Sequence, residues 1–125
     1  MLDTTVLIDV SRGREPATSW LAVETERSTQ ISVSAVTIAE FFTGLGSHQR
    51  SQWTEFFFTL TQWDVTSQIA RRAGMFRYDL ARQGRSLALA DALIAATAAE
   101  FGVSLVTNNV KDFTWLPLEV ISPGD

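Results

Sequence analysis

Leu89-Ala90-Asp91-Ala92-Leu93-Ile94-Ala95-Ala96-Thr97-Ala98-Ala99-Glu100-Phe101, closed by Gly102 and followed by Val103-Ser104-Leu105-Val106, is the stretch that decides the fold. The first part reads as a helix with a glycine at the position that ends helices, and the second as a strand of the buried type. Downstream, Leu118–Ile121 reads as a final strand. Upstream, Ser67–Gln83 has helical spacing at Ile69, Ala73, Phe76 and Leu80 and stops at Gly84. Asp64-Val65-Thr66 is read as a short strand, and Ser47 or Ser51 opens a helix running through Phe58. Ser34 is placed to cap a helix from Ala35, with Ile38, Phe41, Phe42 and Leu45 apolar and Gly44 or Gly46 near its end, after a strand at Gln30–Val33. Pro16 suits the first turn of a helix from Ala17 to about Arg27. Ahead of it, Arg12-Gly13-Arg14 breaks a helical turn through Val6, Leu7 and Val10, and Met1–Asp3 ends a short first strand. Strands separated by helices predict an α/β domain over 1–125, a three-layer α/β/α arrangement with a central, mainly parallel sheet. Ligands of such folds bind beyond the carboxyl ends of the strands.

The chain has 125 residues, 46% of them hydrophobic and 19% charged, which excludes a disordered polypeptide and allows a real core. It has no cysteine and one histidine, His48, which excludes a disulfide scaffold, a thiolate or histidine metal cage and a cysteine nucleophile. No run reaches the roughly 18 apolar residues of a membrane span, and Met1-Leu2-Asp3 does not start a signal peptide. The composition suits the cytoplasm. A net charge of −4 lacks the basic field that charge alone would ask of a nucleic-acid binder.

Several acidic residues stand where strands hand over to helices. Asp3 follows the first strand, Glu40 lies on the helix after the second, Asp91 is in the first turn of the Leu89 helix, and Asp112 follows Val103–Val106 with Asn109. Singly, Asp3 and Asp112 read best as helix caps and Asp91 as a complement to a helix dipole. Glu40 and Asp91 have apolar neighbours on both sides, which sets them apart from a solvated face. Gathered on one sheet edge, such carboxylates repel unless a proton or cation intervenes, since two charges about 4 Å apart cost about 4 kcal/mol at an effective dielectric near 20. An all-oxygen donor set selects Mg²⁺ or Mn²⁺ over zinc, the chemistry of a metal-dependent nuclease.

At these residues the chain resembles a PIN domain, and within that family a VapC-type toxin. The stretches carrying the resemblance are Leu2-Asp3-Thr4-Thr5-Val6-Leu7-Ile8, Ile31-Ser32-Val33-Ser34 with Ile38-Ala39-Glu40, Ala90–Ala98, and Val106-Thr107-Asn108-Asn109-Val110-Lys111-Asp112-Phe113. The resemblance covers residues 2 to about 121. It implies a Mg²⁺-dependent endoribonuclease, a homodimer, and a cognate antitoxin protein lying across the site. Asp3, Glu40 and Asp91 match the acidic triad, with Asp3 and Asp91 as direct metal ligands. Thr5 stands where many members carry Asn, and its hydroxyl can bond a carboxylate. Asn109 stands where a fourth acid often falls and can hold a water, so Asp112 is the substitute. Lys111, beside Asp112, is placed for RNA.

Five of the ten basic residues, Arg71, Arg72, Arg77, Arg82 and Arg85, fall in one short span. They fit phosphate contact as well as a solvated face with Asp79 as ion-pair partner. Arg12 and Arg14 could also meet RNA. Seven of the thirteen aromatics crowd into residues 41–63, and Phe56-Phe57-Phe58 covers too much of a helix for one core. A groove for an antitoxin or a dimer mate is expected there, against the alternative of a helix between two internal layers. Two other functions compete: a PIN-like RNA- or protein-binding adaptor that has lost cleavage, which Asn109 leaves open, and a phosphoaspartyl enzyme. The dehalogenase-like form of the latter needs an acid where Thr5 stands.

Overall fold

The structure, a computed structural model, describes residues 1–125. Its centre is the first residues of the chain. Leu2 bridges in parallel to Val33 on one side and Val106 on the other. Leu2 N–H donates to Ser32 O at 2.9 Å, Asp3 N–H to Val106 O at 2.9 Å, and Val106 N–H to Met1 O at 2.8 Å. Outward from Leu2, β1 (Ser32–Ser34) pairs with β2 (Thr61–Trp63), and β3 (Leu105–Val106) with β4 (Val120–Ile121), every pairing parallel. The sheet order is therefore β2, β1, Leu2, β3, β4. The chain moves from Leu2 to one edge and then crosses back to build the other, so the topology switches between Leu2 and β3.

Strand alternation divides the core between the two faces. Met1 and Leu105 face one apolar cluster with α5 (Ser67–Arg82) and α6 (Leu89–Phe101). Leu2, Val33 and Val106 face another, built from α1 (Thr4–Ser11), Ala17 at the start of α2 (Ala17–Glu26), Phe41 of α3 (Ala35–Thr43) and Phe57 of α4 (Arg50–Phe58). The three-layer α/β/α reading holds. The helix α6 has the predicted bounds, and its Gly102 cap at φ 63° is in the left-handed region where a side chain would be strained.

Two strands lie elsewhere than expected. The strand expected at Asp64-Val65-Thr66 is at Thr61–Trp63, because Thr66 caps α5: its Oγ1 accepts from Ile69 N at 3.1 Å. The strand expected at Gln30–Val33 starts at Ser32, and Gln30 turns its side chain to Thr61 Oγ1 at 2.8 Å. Ser34 serves as both the last strand residue and the cap of α3.

The aromatic cluster divides between the core and an open cleft lined in part by Phe41, Leu45 and Trp53. Phe41 and Phe57 are buried, and edge-to-face contacts join Phe41 to Phe42, Trp53 and Phe57, and Trp53 to Phe56. Only Phe58 of the Phe56-Phe57-Phe58 run is left outside, 76% exposed. The helix is held against an internal layer, and most of the aromatic excess closes the second core. No helix is long and apolar enough to cross a membrane.

Candidate active site

Asp3 emerges from the central strand at the topological switch point, where open α/β sheets bind ligands. It is both a cap and a site residue. Its Oδ1 accepts from Thr4 N at 2.8 Å, capping α1, and its Oδ2 accepts from Thr5 Oγ1 at 3.0 Å and Thr107 Oγ1 at 2.7 Å. A carboxylate offers about four lone-pair directions. Three are occupied, so the buried group is fixed in orientation with one direction left for a cation or water.

Glu40 comes to the same edge from α3. Thr4 Oγ1 donates to its Oε1 at 2.6 Å and also reaches the buried Thr37 Oγ1 at 3.3 Å. Its apolar sequence neighbours do not bury it: Phe41 and Thr37 turn inward while Glu40 points to solvent. Asp91 arrives from the first turn of α6, which runs back toward β3 and so starts at the carboxyl edge of the sheet. Burial, followed by the charges of Asp3, Glu40 and Asp112, pushes its carboxyl from 3.8 up to about 6.

The charges that act on Asp91 are those of the other three predicted acids. Asp112 is exposed at the end of the 3₁₀ turn Val110–Asp112, and its side chain makes no capping hydrogen bond to the turn that follows from Phe113. Asn109 begins the turn through its backbone, its N–H donating to Thr107 Oγ1 at 3.0 Å and its carbonyl accepting from Asp112 N. Lys111 is exposed between them. No three of these carboxylates converge on one coordination point. Asp3 and Asp91 are the carboxylates that would hold a divalent cation, and Mg²⁺ is an ion that takes one or two carboxylates together with water.

Three hydroxyls were not anticipated in these roles: Thr107, Thr4 and Thr37. Thr107 ends a strand beside the site, and a hydroxyl one residue past a buried strand was the available signal. Asp9 is engaged structurally, accepting from Asn108 Nδ2 at 2.9 Å and lying 3.8 Å from Arg14. Of the basic run, Arg72 pairs with Glu100 at 3.1 Å, Arg77 Nε donates to Leu87 O at 2.9 Å, and Arg82 lies over the Tyr78 ring. The expected Asp79 ion pair does not form. Beside Glu40 a cleft of about 230 Å³ opens between α1, α3 and α4, walled by Ile8, Arg12, Phe41, Leu45 and Trp53.

Comparison with known proteins bears on the family. The PIN domain family matches residues 1–114. The chain is 30% identical over 117 residues to ribonuclease VapC19 of Mycobacterium tuberculosis, covering 94% of each chain. It is 33% identical over 113 residues to ribonuclease VapC10 of the same species, covering 90% of this chain and 84% of that one. A toxin–antitoxin complex from Klebsiella pneumoniae contains a chain with TM-score 0.78 and 30% identity, over 98% of this chain and 95% of that one. A fold built around a buried Asp3 at the switch point and these similarities over nearly the whole length lead to one conclusion: the chain belongs to the PIN-domain family, in its VapC branch.

Proposed function

We propose that the chain is a Mg²⁺-dependent endoribonuclease, with Mn²⁺ able to substitute, and that it is the toxin of a toxin–antitoxin pair acting in the cytoplasm. The observation that carries the reading is the hydrogen-bonded setting of Asp3 and Glu40 at the switch point, through Thr4, Thr5 and Thr107. With it, the carboxyl of Asp91 is raised to about 6 by burial and then by the charges of Asp3, Glu40 and Asp112, and no basic side chain is paired to any of the four. The relatives named ribonucleases and the toxin–antitoxin complex support it. Asp3 and Asp91 would hold the ion, which supplies neutralisation of phosphate charge and a more acidic bound water. Asp3 is held ready by its three donors. Glu40 keeps Oε1 on Thr4 and has Oε2 free to orient the attacking water and take its proton. Lys111 and Asn109 line the approach for the RNA backbone. The adaptor alternative rests on Asn109 at the fourth position, and in the nuclease reading Asp112 is the substitute acid there.

RNA cleavage should require Mg²⁺, stop in EDTA, and fall at least about a hundredfold in Asp3→Asn and Asp91→Asn. Metal-independent cleavage, or full activity in both variants, would refute the mechanism. The cleft beside Glu40, lined by Ile8, Phe41, Leu45 and Trp53 together with Arg12, Gln49 and Glu40 itself, suits an antitoxin segment that offers it an apolar side chain and, toward Glu40, a basic one. A homodimer is supported by the outer face of α5. Met75 and Tyr78 are 59% and 58% exposed there, and Arg71 and Asp79 stand four residues either side of Met75. Antiparallel packing about a two-fold axis through Met75 sets each Arg71 against the mate's Asp79.

A further inference from the structure

Arg85 and Trp115 meet near the loops that carry two of the acids. Trp115 lies three residues past Asp112, which keeps those two Cα atoms within about 11 Å, and Arg85 lies six residues before Asp91, within about 21 Å along the chain. The Arg85 guanidinium carbon is 4.1 Å from the centre of the indole ring. Both loops are pinned from behind. Arg77 Nε holds the Leu87 carbonyl at 2.9 Å, and Leu87, Phe113 and Leu116 are all buried in the core with α5 and α6. Trp115 is therefore held between two anchors that do the packing, while its own ring is 59% exposed. One face is covered by Arg85. Arg85 has no carboxylate partner, the ion pairs of the molecule being Arg14–Asp9, Arg27–Glu24 and Arg72–Glu100.

An exposed indole with a cation on one face matches what single-stranded RNA recognition uses: an aromatic plane for a base and a positive charge for the adjoining phosphate. RNA is favoured over a protein partner by position. A chain of net charge −4 with four carboxylates in its site repels a polyanion, so an unpaired cation near those loops is where the substrate needs one. We propose that Trp115, braced by Arg85, stacks an unpaired base of the RNA beside the acidic site, with Arg85 holding the neighbouring phosphate. The pair then positions the strand for cleavage, a role that rests on the ribonuclease reading above.

The test compares the wild type with Trp115→Ala, Trp115→Phe and Arg85→Gln. Anisotropy titration of a labelled single-stranded oligoribonucleotide in EDTA reads binding without cleavage. Trp115→Ala should bind about ten- to a hundredfold more weakly and Trp115→Phe within about threefold of wild type. Arg85→Gln should bind more weakly with a shallower salt dependence. A fully paired duplex of the same sequence should not distinguish wild type from Trp115→Ala. With Mg²⁺, Trp115→Ala should raise KM by the same factor and leave kcat unchanged. The proposal is overturned if folded Trp115→Ala binds the single strand like wild type, if Trp115→Phe is as weak as Trp115→Ala, or if the loss falls on antitoxin affinity or oligomeric mass instead. Should Trp115→Ala melt early, an unchanged affinity in Arg85→Gln overturns it. Wild-type protein that binds the single strand but never cuts it refutes the ribonuclease reading alone, so the two failures are distinct.

Discussion

At the scale of single residues, Asp3 is a helix cap that the proposed mechanism also uses as a ligand. Capping uses one lone pair of Oδ1, and the two threonine hydroxyls use Oδ2, so the group that starts α1 is also fixed in orientation. Thr107 is the donor most worth removing, because it ties Asp3 to the neighbouring strand across the switch point. Thr107→Val should lower Mg²⁺ affinity and cleavage about 10- to 100-fold while costing about 1–2 kcal/mol of stability. Metal titration together with single-turnover cleavage measures both, and unchanged values would show that Thr5 and the backbone suffice. Thr107 was quoted in the sequence within a motif without a role of its own. A hydroxyl's partner is decided by which strand lies next to it, and Thr107 and Asp3 are 104 residues apart.

At the scale of elements, α4 separates pattern from allocation. Three consecutive phenylalanines cannot all face one layer, and the sequence shows that some must point elsewhere without saying where. The fold buries Phe57, half-buries Phe56 and leaves Phe58 in solvent. Phe57→Ala should therefore destabilise by about 3–5 kcal/mol, and Phe58→Ser should stay within about 0.5 kcal/mol, as chemical denaturation will show. The outer face of α5 carries the homodimer reading. Met75→Glu should shift the species measured by light scattering to the monomer while leaving the melting temperature of the monomer unchanged. A variant that stays dimeric would move the interface elsewhere.

At the scale of the whole molecule, the site exists because the sheet is built in two directions from Leu2. Asp3 follows the central strand and Thr107 follows its neighbour. Glu40 and Asp91 come from helices that begin at the same carboxyl edge. Crowding them raises the carboxyl of Asp91 from 3.8 to about 6, by burial first and then by its acidic neighbours. The folded protein keeps a proton that the unfolded chain has lost, so this group's stabilisation is full below pH about 4 and disappears as pH rises through about 6. In EDTA, the melting temperature of wild type relative to Asp91→Asn should fall between pH 5 and pH 7.5. Millimolar Mg²⁺ should restore it at the higher pH and do little at the lower. A difference that is flat with pH in EDTA would mean that Asp91 is hydrated in solution and clear of the other carboxylates.

The sequence by itself determined the helices, the parallel α/β class and the identity of the acidic residues. Each is a local property: apolar spacing, a cap such as Ser34, a glycine such as Gly102, a carboxylate at a strand end. Tertiary structure alone decided which strands flank Leu2, and hence that Thr107 grips Asp3 and that Arg85 covers Trp115. It also moved β2 to Thr61–Trp63, where pairing with β1 outweighed a local pattern that Thr66 had already committed to a cap. The physical reason is range. Propensity and capping act over a turn or two, whereas strand order, burial and charge crowding depend on which distant segments the sheet sets side by side.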